Sequence, residues 1–560
     1  MSTYTLYPYQ QESLNQAKAR NTIVNLPTGF GKTLIAAKLI DHYLRQSPHQ
    51  TVAFLVPTRP LVEQQSNYCK KHCRLPSGST PVIQKLVGEN QASWQQSDWD
   101  VCVQKSHILL GTAALFEQAF VTDRRISIGQ ISLIVFDECH NACGNSPMAV
   151  VMRDGVAPYQ ARGLPGPRIL GLTASFVNGN LKNIEQKRRN IESLLLSTLH
   201  CPDVEQRITE DRFCSVHWAK AKDADKQCQA IEDHVEIAIN HVGNIKELRK
   251  VVRRCIHVFE ELGYDALMFY IDKVIIEQII VKTTLLKDQG EINSLRCANA
   301  MINGLPALRS ELKTLQLKLL ADPQVNRTKK ASPKADALIQ LIHGLFQNKD
   351  PAFSGIVFVE QVALVSSMAK MLNDSLASLG IRSAAVAGTG YQSETDRQTQ
   401  LGRFESGEIR ILAATATLEE GIDVSQCAFV VRYTSVATTK AHIQGAGRAR
   451  HPNASIYYFE NNPRVELQKQ ASMTAAAKDT SLSLMPSELD DAVRSISIPS
   501  EKRHPYPFLD AGADISGEVN VFTQNEFSTN TVPSLLAHLS NPKRTYTNTK
   551  IKQESKKFFL

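Results

Sequence analysis

The sequence predicts an α/β chain: two doubly wound parallel-sheet domains with an all-helical domain inserted between them. Three observations carry this. Short apolar runs recur through residues 22–175, as TIVNL, TVAFLV, VCVQ, ISLIVF and RILGL, with helix-length amphipathic segments separating several of them. Strands that are apolar throughout and alternate with helices imply a parallel sheet covered on both faces. The pattern returns from 354 to 459 with GIVFV, SAAVAG, IRILAA, FVVRY and SIYYF. Between the two regions no proline occurs after Pro202 and before Pro306, and Ile231, Val235, Ala238, Ile239, Val242 and Ile245 fall at helical spacing. NRTKKASPKADAL marks the junction, with Pro333 expected in the first turn of the next helix. The expected organisation is therefore a first α/β domain over 1–200, a helical insertion over 201–331 and a second α/β domain over 332–462. Residues 463–560 form a helical or irregular C-terminal extension, with one helix near Ser487–Ser495.

Composition bounds the function. A chain of 560 residues, 42% hydrophobic and 21% charged, is long enough for three or four ordinary domains. It contains no run of about 18 apolar residues, so no membrane partner is expected. MSTYTLYPYQQ lacks the basic-then-apolar pattern of a secretory signal. Eleven cysteines without a CxxC pair suit a reducing compartment, the cytoplasm, with the nucleus as the alternative. Cys69, His72 and Cys73 lack the second ligand pair that a zinc site requires. The net charge of +8 permits a phosphate-backbone partner without requiring one. Part of that excess is the tail, where six Lys/Arg face one Glu in the last twenty residues.

LPTGFGKT, residues 26–33, follows an apolar run and opens a helical one. A tight turn into a helix N-terminus aims backbone N–H groups at phosphates, and glycines let the backbone come close. Pro27, Thr28, Gly29, Phe30 and Gly31 would form that cradle. Lys32 would reach the β- and γ-phosphates of ATP, and Thr33 would offer its hydroxyl to Mg²⁺. The generic phosphate loop wants glycine where Leu26 stands. ISLIVFDECH supplies an acidic pair at the carboxyl end of a buried strand, where parallel α/β sheets bind ligands. Asp137 would hold Mg²⁺, and Glu138 would orient and deprotonate the attacking water.

At this point the sequence resembles a known family. LPTGFGKT, VPTRPLVEQQ, DECH, GLTAS, ATATLEEGIDVSQC and QGAGRAR fall in the order of motifs I, Ia, II, III, V and VI of the superfamily 2 helicases. The DECH spelling, the helical insert, PRILGLTASFVNGN, SPKADALIQLI and NASIYYFE resemble the Dicer and RIG-I-like branch, and most of all the Dicer helicase module. The resemblance covers about residues 4–465. It implies two RecA-like domains with an all-helical insert, an ATP-hydrolysing motor and a nucleic-acid partner, most of all double-stranded RNA, alongside other RNA-silencing proteins. It places Gln10 of YPYQ as the adenine reader and Gly421 and Asp423 at the ATP site. Gln444, Arg448 and Arg450 complete that site from the second domain. Pro57, Thr58 and Arg59 grip a phosphate backbone, and Thr173 and Ser175, matching motif III, stand with them while linking hydrolysis to domain movement.

Two departures from the family pattern stand out. Ala446 occupies a position where motif VI carries Lys or Arg. The TPQ-like motif Ic is replaced by Lys105-Ser106-His107, with Lys105 and Ser106 expected to meet phosphates. No RNase III signature is found, and the early start of YPYQ implies no N-terminal signalling domain. The chain is expected to be a helicase-only relative, a silencing accessory or the N-terminal portion of a longer protein. AGADISGEVNV, residues 511–521, resembles the start of the small domain that follows the Dicer helicase. The alternatives are a DNA translocase of the Hef type and a nucleotide-gated duplex-RNA sensor that displaces no strand.

Overall fold

The computed structural model describes residues 5–494 except 92, 179–180, 205–211, 221–223, 243–247, 289–291, 324–330, 348–352, 389–390, 416–426 and 436–453. Seven strands form the first sheet: β1 (Thr22–Asn25), β2 (Thr51–Val56), β3 (Ile83–Leu86), β4 (Ile108–Thr112), β5 (Ile131–Phe136), β6 (Arg168–Thr173) and β7 (Thr198–His200). Their order is β3-β4-β2-β5-β6-β1-β7, and every pairing is parallel. β1, β2 and β5 are buried at every position, which is why they read as unbroken apolar runs and not as alternating ones. One face of the sheet is covered by α1 (Pro8–Ala19), α2 (Lys32–Gln46) and α3 (Arg59–His72), through Leu14, Ile35, Leu39 and Leu61 against Val24, Phe54, Val135 and Leu172. Ile23, Leu55, Ile134 and Phe136 point to the other face, onto Phe116, Met152 and Ile191.

One expected strand is a helix. VCVQ closes the helix Gln96–Lys105, whose start is capped by the Asp98 carboxylate accepting from Gln95 N–H at 2.8 Å. Trp99, Cys102 and Val103 are buried at helical spacing. A four-residue apolar run does not distinguish the two structures by itself. The strand lies just beyond, as β4.

The second sheet contains β8 (Phe213–Ser215), β9 (Gly355–Phe358), β10 (Ser383–Val386), β11 (Ile411–Ala414), β12 (Phe429–Arg432) and β13 (Ser455–Tyr458), in the parallel order β10-β11-β9-β12-β13-β8. β8 comes from within residues 201–331, ahead of the helices, and closes the edge beside β13. The helices Ala224–Val242, Leu248–Leu262, Tyr264–Phe269, Ile275–Asp288 and Ile292–Ala321 follow it, with Ile231 and Val235 buried among them.

SPKADAL joins these helices to the second sheet. Pro333 opens the helix Pro333–Phe346, and the Ser332 hydroxyl accepts from Ala335 N–H at 3.0 Å and donates to the Glu261 carbonyl at 2.6 Å. Lys334 is buried between the Glu261 carboxylate, at 2.7 Å, and that of Glu460. Its ammonium also lies over the rings of Trp218 and Tyr433, 5.2 and 4.6 Å from their centres. Gly263, at φ 98°, lets the turn pass: a Cβ there would meet the Ser332 nitrogen at 2.5 Å.

After β13 the chain returns to the first domain. The helix Pro463–Lys478 places Met473, Ala476 and Ala477 in one core cluster with Ile191 and Leu195. A last helix, Pro486–Arg494, lies where the sequence predicts Ser487–Ser495. Residues 511–521 lie outside the described residues. No helix among the described residues is long and apolar enough to cross a membrane.

Candidate active site

The carboxyl ends of β4, β2, β5, β6 and β1 lie side by side, and four of them carry sequence-predicted residues. The loop after β1 bends through Gly29 and Gly31, at φ 88° and 78°, values that a side chain strains to adopt. Gly31 is the left-handed cap of α2, so the helix opens at Lys32 with its N-terminus toward the crevice. A Cβ on Gly31 would meet Gln10 Nε2 at 2.4 Å. Gln10 is buried and braces this loop: its Nε2 donates to the Phe30 carbonyl at 3.0 Å, while its Oε1 accepts from Tyr7 N–H at 3.0 Å. Lys32 Nζ donates to the carbonyls of Leu26, at 2.9 Å, and Pro27, at 3.2 Å.

β5 delivers the acidic pair. Asp137 is buried, with Oδ2 accepting from Gln65 Nε2 at 2.8 Å and Oδ1 from Glu138 N–H at 3.1 Å. Burial, then the Glu138 charge, push its pKa up to about 7, against the pull of Lys32 and the Gln65 hydrogen bond. Glu138 takes the left-handed region at φ 50°, ψ 49°, a strained conformation of the kind that gathers at functional sites. Gln65 was missed by sequence reasoning, although a signal existed. It is the long polar side chain on a buried α3 face that otherwise holds Leu61, Val62, Ser66 and Cys69.

The raised acid sets a pH dependence. Its folded pKa of about 7 exceeds the ordinary 3.8, so the ionised form is the one that folding disfavours. Stability from this group is full below the lower value and lost as pH rises toward the higher one. Asp137→Asn should therefore raise the Tm of the nucleotide-free protein by several degrees at about pH 8, and by clearly less at about pH 6. Thermal unfolding checks this, and an equal gain at both pH values would contradict it.

Motif III lies beside the acids. Thr173 donates its hydroxyl hydrogen to the Ser175 carbonyl at 2.6 Å, so its oxygen is left to accept, from Ser175 N–H at 3.1 Å and from His140 Nδ1 at 2.9 Å. That places a proton on His140 Nδ1. The same nitrogen lies 3.4 Å from Glu138 Oε2, so His140 connects the acidic pair to motif III. Ser175 Oγ extends the line to Met473 Sδ, at 3.1 Å, on the returning helix.

The sequence-predicted nucleic-acid contacts divide. Pro57, Thr58 and Arg59 follow β2 at the carboxyl edge, with Arg59 exposed at the head of α3. Thr173 and Ser175, 0% and 1% exposed, present no surface for a direct contact and act inside the fold. Lys105 and Ser106 stand apart from that edge. They precede β4, at the amino edge of the sheet, where the Ser106 carbonyl accepts from the Thr51 hydroxyl at 3.0 Å. The carboxyl end of β4 is Thr112-Ala113, and these residues occupy the place beside Thr58. ILLGT before a helical run was the signal. Gly421, Asp423, Gln444, Arg448 and Arg450 lie outside the described residues. No cluster of metal-ligating side chains is found among the described residues, the Cys69 region included.

Comparison with known proteins agrees with this layout. A family model described as type III restriction enzyme, res subunit, matches residues 3–178, and one described as helicase conserved C-terminal domain matches residues 333–453. Dicer-like protein 2 of Emericella nidulans is 27% identical over 480 residues, 80% of this chain and 31% of that protein. Endoribonuclease Dicer homolog 2a of Oryza sativa subsp. japonica is 27% identical over 502 residues, 83% of this chain and 34% of that protein. Protein Dicer of Schizosaccharomyces pombe is 25% identical over 499 residues, with the same two shares. The chain thus spans about a third of the length of the curated relatives it matches. Among solved structures, the Pyrococcus furiosus Hef helicase domain aligns with 83% of this chain and 98% of its own at 22% identity, with a TM-score of 0.47. A helicase family model thus matches the second sheet, a type III restriction enzyme model matches the first, and the chain is similar to Dicer-like proteins across four fifths of its length.

Proposed function

We propose that the chain is a double-stranded-RNA-dependent ATPase of helicase type, working in RNA silencing or RNA sensing with other proteins of that machinery. The observation that carries the hydrolytic half is the Asp137–Glu138 pair at the end of β5, within the electrostatic reach of Lys32. The donor set fits MgATP: a glycine cradle closed to any Cβ at Gly31, a lysine at a helix start, and a buried carboxylate whose ionisation a divalent cation favours. When bound, MgATP supplies the phosphoanhydride bond and the cation that neutralises its oxygens.

Thr33 and Asp137 would hold the metal, and the loop Pro27–Lys32 would hold the phosphates. Glu138 takes the proton from the attacking water. Gln10 fixes the loop through Phe30 and keeps one amide N–H for an adenine edge. Gly421, Asp423, Gln444, Arg448 and Arg450 are assigned to the second domain's side of the site. There an arginine brought across the cleft stabilises transferring charge by about 10³–10⁵ in rate. Nucleic acid spanning both domains favours closure, so its binding and ATP turnover are thermodynamically coupled. The Dicer-like names of the relatives support RNA as the duplex, and A-form RNA is gripped through phosphates and 2′-hydroxyls with little sequence preference.

The test compares ATP turnover with duplex RNA, single-stranded RNA and duplex DNA of equal length. Duplex RNA is expected to stimulate most, and rising salt to weaken that stimulation steeply because releasing counterions gains less entropy at higher salt. Equal or greater stimulation by duplex DNA would overturn the RNA assignment in favour of a DNA translocase.

A further inference from the structure

The outer face of α1, α2 and α3 plays no part in the crevice, yet it carries a concentrated positive charge. α2 lies between the other two helices. Its buried side holds Ile35, Leu39, Ile40 and Leu44, which leaves Lys38, His42 and Arg45 in line along its outer side. Lys18 from the last turn of α1 borders this line on one side, and Lys71 and Arg74 at the end of α3 border it on the other.

The groups sense one another. The His42 imidazole is held below its usual range first by burial, then by Lys18, Arg45 and Arg168. His72 is lowered by burial and then by Lys71, Lys38 and Arg74. The one carboxylate within the strip, Asp41, is buried and already engaged. It meets Lys38 at 3.2 Å and accepts the Arg74 N–H at 2.7 Å. Among the described residues, Lys18, Arg45 and Lys71 have no carboxylate within ion-pair distance.

A simpler account covers part of this. Cations in the last turn of a helix interact favourably with its dipole, by about 0.3–1 kcal/mol each. That explains Lys18, Arg45 and Lys71. It does not explain Lys38 in mid-helix, Arg74 beyond the end of α3, or Arg168 at the head of β6, and crowding of like charges opposes the whole arrangement.

We infer that this strip is a second phosphate-backbone contact, on which a nucleic-acid duplex spanning the two domains continues along the outside of the first domain. The inference rests on the nucleic-acid reading above. Packed helices lie 8–10 Å apart, so three of them span about 20 Å, a length over which a duplex carries about a dozen phosphate charges. In a parallel α/β layer the helix C-termini sit at the amino edge of the strands, so the strip is separate from the loop after β1. Only a duplex long enough to extend beyond its contact with the two domains reaches it.

The experiment measures binding of the full chain, without nucleotide, to duplex RNAs of about 12 and about 40 base pairs across a salt series. The variant Lys18→Gln/Arg45→Gln/Lys71→Gln removes charge without orphaning an acid. It should bind the long duplex about tenfold or more weakly and lower its salt slope by about two to three units. Affinity for the short duplex and ATP turnover on it should match wild type. The control Lys370→Gln/Arg382→Gln/Arg403→Gln removes equal charge from ion-paired cations of the second domain and should change long-duplex binding little. Unchanged long-duplex binding, equal losses at both lengths, or an equal loss in the control would overturn the strip. Failure of the wild type to bind either duplex would remove the nucleic-acid reading, and the strip with it.

Discussion

Arg188→Ala is expected to lower stability by about 3–5 kcal/mol, because it leaves a buried carboxylate without its cation. Arg188 and Glu192 are both 0% exposed and pair at 3.2 Å on the helix Ile184–Leu194. Arg188 Nη1 donates to the carbonyls of Ala476 and Asp479, each at 2.6 Å, and Nη2 donates to the Ser483 hydroxyl. Glu192 accepts from Leu199 N–H at 2.8 Å and from Leu484 N–H at 2.9 Å. One ion pair therefore fastens the chain returning from the second sheet to the first domain, at the end of the helix whose Met473 meets motif III. Thermal unfolding should show a Tm lower by about 10 °C, at the 2–4 °C per kcal/mol usual for large domains. Arg188→Lys should rescue poorly, since an ammonium cannot span the four acceptors that the guanidinium reaches. Arg188→Met/Glu192→Leu should recover much of the loss, because it leaves no buried charge. A Tm within about 2 °C of wild type for Arg188→Ala would contradict this account.

None of that clamp was legible in the sequence. Its partners come from distant segments, and Arg188 within EQKRRNIESL reads as a solvated cation. The helix Pro463–Lys478 was equally hidden, because it buries Glu466, Ala476 and Ala477 in place of an apolar stripe. The strands that were legible are the apolar runs β1, β2, β5, β6 and β9 to β13, most of them buried on both faces, with β13 alternating between buried and half-buried positions. β3 escaped because IQKL is polar and half-buried at a sheet edge, and β7 and β8 because three residues carry no periodicity.

The site was legible where its chemistry is contiguous. A glycine turn into a helix and an acid pair ending an apolar run single out Lys32, Asp137 and Glu138 as candidates without any fold. What relates them is long-range: His140 to Thr173, Gln65 to Asp137 and Gln10 to Phe30 are set by strand order, and strand order is not written locally. Lys105 and Ser106 fall at the amino edge for a local reason: VCVQ, read as a strand, closes a helix, so the residues after it precede β4.

Glu138→Gln is expected to reduce ATP turnover by about 10²–10⁴ while nucleotide affinity stays close to wild type. The glutamine keeps the size of the side chain and accommodates the left-handed backbone as glutamate does, so the loop after β1, Lys32 and Asp137 remain in place. Only the proton acceptor is lost. Removing one half-buried charge beside Asp137 also relieves the second cause of its raised pKa, so metal binding should not weaken. The most direct test of the assigned roles is to measure Mg²⁺-dependent ATP affinity and duplex-RNA-stimulated turnover on one purified Glu138→Gln preparation. Near-normal affinity with turnover down by at least about a hundredfold is the predicted result. Lost affinity, or turnover close to wild type, would contradict the division of work between Asp137 and Glu138.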